Sequence, residues 1–153
     1  MWFSIFRLKP SVDLRIGSTL GRIFLPVTND ESSIRQIDSA GDSLVISDRR
    51  NEMTAYALAD GHRIGSTFGH FVTMSEAAGL ICGQNDKTRL QCFDIHTMAP
   101  RGDVQLPMDV RLGRFSDDGR RLLVVTADQV VRVFDTAALA ATASPAAAAP
   151  ARP

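Results

Sequence analysis

Three stretches of the chain repeat one order of apolar and polar positions. IDSAGDSLVIS (37–47), MSEAAGLICG (74–83) and FSDDGRRLLVVT (115–126) each open on an apolar residue, pass through a polar turn containing glycine, and end in a short apolar run. Gly41 stands three residues before Leu44, as Gly119 stands three before Leu122, while Gly79 adjoins Leu80. The runs LVIS, LICG and LLVVT are continuously apolar, which predicts strands buried on both faces. Each run is followed by a strand ending in an aromatic residue: MTAYA, then RLQCFD (89–94), then VVRVFD (130–135), with WFSIF as an earlier version. The aromatics Phe6, Tyr56, Phe93 and Phe134 are spaced by 50, 37 and 41 residues. Gly, Asp, Asn and Pro fill the breaks, as turns require. No stretch holds a helical period of apolar residues over a dozen positions.

A longer phrase also repeats. RIGSTLG (15–21) returns as RIGSTFG (63–69), 48 positions on, with one apolar exchange. Each copy follows an aromatic-ended strand and a turn signal, and reads as the opening of a fourth, outer strand. Strand, Gly turn, strand, Asp-bearing turn, aromatic-ended strand, turn, strand is a four-stranded antiparallel meander recurring about every 40 residues, the period of a propeller blade. The expected layout is a half blade over 2–20, with strands at 2–8 and 13–20, full blades over 33–68 and 70–107, and a partial blade over 109–135. That is about 13 strands, whereas a closed propeller holds at least about 16. The fold class expected is therefore all-β: an arc of about three blade equivalents, an incomplete ring.

FSDDGRRLLVVTADQVVRVFDTA resembles the core of a WD repeat. Phe134-Asp135 and Phe93-Asp94 stand where that family often has Trp-Asp, with Tyr56-Ala57 and Phe6-Arg7 as weaker versions. Gly69-His70, 23 residues before Phe93, resembles the Gly-His that opens such a repeat; the other copies have Gly21-Arg22 and Leu106-Pro107. The resemblance covers residues 2–136. It implies a propeller used for protein binding, with the family's buried His–Ser/Thr–Asp network complete in one blade at most.

Composition narrows the function classes. Lys plus Arg equals Asp plus Glu at 17 each, which argues against a general nucleic-acid binder. No apolar run approaches the roughly 20 residues of a membrane span, and no signal peptide is seen, so a cytoplasmic location is expected. The stretch 137–153 is Ala/Pro-rich and reads as a disordered tail with one helical turn at its start. Cys82 and Cys92 lie in adjacent strands; without a secretion signal they read as reduced packing residues, a disulfide being the alternative. Their spacing with His96 matches no zinc pattern. Arg101-Gly102-Asp103 and the pair Asp117-Asp118 read as ordinary turns. Nucleophile elbows, phosphate loops and zincin motifs are absent, so no catalytic residue, metal or cofactor is expected.

The remaining candidate is a rim. Arg49, Arg50 and Asn51 occupy the turn between the second and third strands of one blade; Lys87 and Gln129 occupy the same turn in the next two. By resemblance that turn opens on the face propellers use for partners, and the basic lip would dock an acidic peptide or loop. Two function classes follow. One is a non-catalytic interaction scaffold, a fragment or subunit of a larger propeller, whose partner is another protein or a second copy of itself, not nucleic acid or membrane. The other is a fragment of a propeller enzyme with an axial metal or quinone site.

Overall fold

The computed structural model describes residues 2–5, 21–24, 34–85 and 87–141. Among them are 13 strands and one short helix. Strands β1 (Trp2–Ile5) and β2 (Gly21–Phe24) form an antiparallel pair. The partner of β1 is thus Gly21–Phe24, whereas the expected strand over 13–20, and with it all but the last residue of the first RIGST phrase, lies outside the described residues.

The rest is three antiparallel sheets. The first is β3 (Ile34–Ala40), β4 (Ser43–Asp48), β5 (Glu52–Ala57) and β6 (Arg63–Phe68), in chain order. The second is β7 (His70–Ser75), β8 (Leu80–Gln84), β9 (Arg89–Asp94) and β10 (Pro100–Gln105), also in chain order. The third holds β11 (Val110–Phe115), β12 (Arg121–Thr126) and β13 (Val131–Asp135). The second RIGST phrase is β6, the outer strand of its sheet.

Local chemistry sets the hairpins. Gly41, Gly79 and Gly119, at φ of 55°, 66° and 69°, turn the first strand of each sheet into the second. Such left-handed backbone is strained for a side chain, and at Gly119 a Cβ would also come within 2.4 Å of the Ala78 amide in the neighbouring sheet. The next turns follow one plan as well. Asp48 Oδ1 accepts from the amides of Arg50 and Glu52, and Asn85 Oδ1 accepts from those of Lys87 and Arg89. Each is an Asx-type closure by a short polar side chain.

The sheets stack face to face, and their first strands β3, β7 and β11 lie side by side. One core fills the seam between first and second sheets, with Val45, Met53 and Ala55 meeting Phe71, Met74, Ile81 and Phe93. Another fills the seam between second and third, with Leu80, Cys82, Leu90 and Cys92 meeting Phe115, Leu122 and Val124. The apolar runs of β4 and β8 are buried on both faces, but β12 alternates: Leu122, Val124 and Thr126 are buried, Arg121 and Leu123 exposed.

The structure corrects three further sequence expectations. Cys82 and Cys92 are joined by a disulfide, because the β8–β9 register sets them directly opposite each other with Cα atoms 4.2 Å apart. Among the described residues no helix is long and apolar enough to cross a membrane. Second, part of the expected tail packs: α1 (Thr136–Ala141) begins where Asp135 Oδ1 accepts from the Ala137 amide, and Leu139 is buried in the second seam. Third, Arg101-Gly102-Asp103 is strand β10, not a turn; Arg101 sits at a bulge and pairs with Asp94, while Asp103 pairs with Arg89. His70 is exposed and bonded to Arg35, so it does not anchor a buried histidine network, which stays within the limit of one blade at most.

Candidate functional site

The rim residues fall on one structural plan. Arg49, Arg50 and Asn51 form the β4–β5 turn, Lys87 the β8–β9 turn and Gln129 the β12–β13 turn. Asn51, Thr88 and Gln129 occupy the same place in the three turns, all with left-handed backbone at φ of 62°, 56° and 61°. Arg49, Arg50, Lys87 and Gln129 are exposed. In the third turn the Thr126 hydroxyl donates to Asp128, and Arg132 donates to both. The Thr126 hydroxyl and the Arg132 guanidinium hold the Asp128 carboxyl below the usual carboxylate range.

Beside this rim the first strands open a cleft of about 540 Å³. Its walls include Arg35 on β3, His70 on β7 and Arg111 on β11, together with Asn51, Gln84 and Asp109. Arg35 Nη1 donates to Asn51 Oδ1 at 3.2 Å and lies 3.3 Å from His70 Nδ1. A guanidinium has no acceptor, so in this contact the imidazole nitrogen accepts. Of the rim residues, Asn51 lines the cleft and Lys87 and Gln129 do not.

Arg35 and Arg111 escaped the sequence reading, and His70 was read only as part of a repeat-opening Gly-His pair and not as a cleft residue. The register slips by one residue at Arg35 and at Arg111, so each occupies a β-bulge at the same place in its sheet. Bulges re-aim a side chain. The signal available was an apolar-Arg pair opening the first strand twice, Ile34-Arg35 and Val110-Arg111. Among the described residues no group of three His, Cys, Asp or Glu is placed to hold a metal.

Two four-stranded meanders and a three-stranded one, stacked with their first strands gathered at one edge, define the architecture. The chain is a β-propeller arc. It is similar to the WD40 β-propeller domain of Doa1, with 14% identity and a TM-score of 0.54 over 67% of this chain and 36% of that one. A chain of the mitotic checkpoint complex gives 14% identity and a TM-score of 0.58, over 72% and 36%. BamB from Moraxella catarrhalis gives 12% and 0.54, over 65% and 30%. This chain thus spans about a third of the length of each. No family model and no curated protein matches the sequence.

With the arc identified, the meanders are blades, and the rim and cleft lie at one end of the blade strands. What the arrangement offers chemically is cationic donors on exposed turns and strand bulges. Such groups suit recognition of a negatively charged segment through charge-assisted hydrogen bonds.

Proposed function

We propose that this arc is a non-catalytic protein-binding scaffold of the WD type, part of a larger propeller, and that its rim and cleft receive an acidic segment of a partner protein. The observation that carries the reading is the repetition. Successive blades place Arg49 and Arg50, then Lys87, on equivalent turns, and bulges aim Arg35 and Arg111 into the adjoining cleft. Phe93-Asp94 and Phe134-Asp135, closing the third strands of two blades, support the WD assignment. One of the similar chains comes from a complex, in keeping with a binding role.

The test is fluorescence anisotropy with labelled peptides rich in Asp and Glu, set against basic peptides of equal length. Binding is expected for the acidic set, weakening with salt as charge pairing does. Arg49→Glu with Arg50→Glu, and separately Arg35→Ala with Arg111→Ala, should each reduce affinity about tenfold or more, since charged hydrogen bonds contribute ~1.5–3 kcal/mol. Equal binding of acidic and basic peptides, or full affinity in both double variants, would sink the reading.

A further inference from the structure

The groups of the cleft recur from blade to blade at one level. Asp48, Asn85 and Thr126 hold one place in the three blades, each accepting through its carbonyl from the left-handed turn residue, Asn51, Thr88 or Gln129. Counted from there, Arg35 bulges opposite Ser47 and Asp48, His70 stands opposite Gln84, and Arg111 bulges opposite Val125 and Thr126. All three are exposed and line the cleft. Cα atoms of β3 and β7, and of β7 and β11, come within 8 Å of one another. Blades cover one another's faces, whereas this row runs along their inner edges, so a further blade would lengthen the row and not cover it.

Neighbouring contacts fix what each group offers. Arg35 Nη1 is committed to Asn51 and His70, while Nε and Nη2 make no hydrogen bond among the described residues. That free edge of a guanidinium grips a carboxylate through two parallel bonds. Because His70 Nδ1 accepts from Arg35, the imidazole proton sits on Nε2, which is left as a donor. The row therefore presents donors alone: guanidinium, imidazole N–H, guanidinium.

We infer that the partner's acidic segment lies extended across β3, β7 and β11 and is read at every second residue, a placement that rests on the acidic-segment reading above and adds a register to it. One carboxylate sits on Arg35, a side-chain acceptor on His70 Nε2, and a second carboxylate on Arg111. An extended chain rises ~3.3 Å per residue and sends alternate side chains to one face, so same-face groups recur about every 6.6 Å. That period matches the spacing of the inner strands, one reading group to each. Asp109 also lines the cleft, so a uniformly acidic segment brings more like charge to it than two placed acids do. Placement of charge, more than its total, sets the affinity.

Fluorescence anisotropy with the full chain tests this, using labelled peptides of one composition, Glu-Ser-Asn-Ser-Glu and Glu-Glu-Asn-Ser-Ser, each flanked by Gly. The first should bind about tenfold more tightly. Leu in place of its central Asn should weaken binding about fivefold, and His70→Ala should remove that difference. Arg35→Gln should erase the cost of changing one peptide Glu to Gln and keep the cost of changing the other; Arg111→Gln should do the reverse. Long-range proton–nitrogen NMR correlations should place the His70 proton on Nε2, a readout independent of any peptide. Equal binding of the two peptides, a His70 proton on Nδ1, or the same response of Arg35→Gln and Arg111→Gln to both Glu changes would each overturn the register. Tight binding of acidic peptides without regard to pattern would overturn the register alone and leave the acidic-segment reading standing. Failure of every acidic peptide to bind would overturn both.

Discussion

The Gln84 carboxamide oxygen accepts a hydrogen bond of 2.8 Å from the Val110 amide, across the seam between second and third blades. Gln84 is 3% exposed, and its Nε2 donates to the Met108 carbonyl at 3.4 Å. One buried side chain thus ties the start of β11 to the end of β8. Gln84→Leu preserves the bulk but leaves the Val110 amide without that partner. An unsatisfied buried donor costs about 1–3 kcal/mol, and urea unfolding should show a loss in that range. Unchanged stability would mean the seam does not depend on this contact.

Leu139→Ala should destabilise the chain although it lies in an Ala/Pro-rich stretch. Leu139 is 5% exposed, in a helix anchored against β10 and β13. Burial in a short terminal helix places the expected loss near the low end of Leu→Ala values, about 2 kcal/mol. Thermal unfolding of Leu139→Ala beside Ala138→Ser, an exposed neighbour, separates lost packing from a change in helix propensity.

Cys82 and Cys92 close a loop across a sequence separation of 10 inside the second seam. A crosslink of that length removes denatured-state entropy equivalent to about 2–3 kcal/mol. Reduction should lower the melting temperature, and the double Cys→Ala variant should melt below the oxidised wild type and no longer respond to reductant. Intact-mass spectrometry without reductant should show the wild type two hydrogens lighter than its reduced form.

Asp94 should give acid sensitivity. Its Oδ1 accepts from the His96 and Thr97 amides and the Thr97 hydroxyl, and Oδ2 accepts from Arg101 Nη2 at 2.6 Å. The Arg101 guanidinium and then the amide bonds hold its pKa down to about 2. A depressed carboxylate stabilises the fold above its unfolded pKa near 4, and that contribution fades as pH falls from about 4 through about 2. Allowing for solvent around Arg101, the effect is about 1–2 kcal/mol. Arg101→Met should flatten the stability profile between pH 4 and pH 2. A profile identical to the wild type would assign the acid transition elsewhere.

How much was legible in the sequence differs between strands and site. Leu44, Ile81 and Leu122 were readable as second-strand residues because an apolar run after a Gly turn has few other solutions. The turn residues Arg49, Lys87 and Gln129 were readable for the same reason, since Asx closure is local chemistry. Arg35 and Arg111 were not, because a one-residue bulge depends on the partner strand and leaves no mark in a single segment.

By itself, then, the sequence determined the strand periods, the left-handed glycine turns and the number of meanders, all of which follow from interactions between residues close in the chain. Tertiary structure decided the rest. It set Cys82 against Cys92 in register to bond, brought Leu139 back onto the second seam, and gathered Arg35, His70 and Arg111 around one cleft. It also decided which apolar faces are covered: Leu90 and Val131 hold the same place in their hairpins, and only the stacking of one blade on the next makes one core and leaves the other surface.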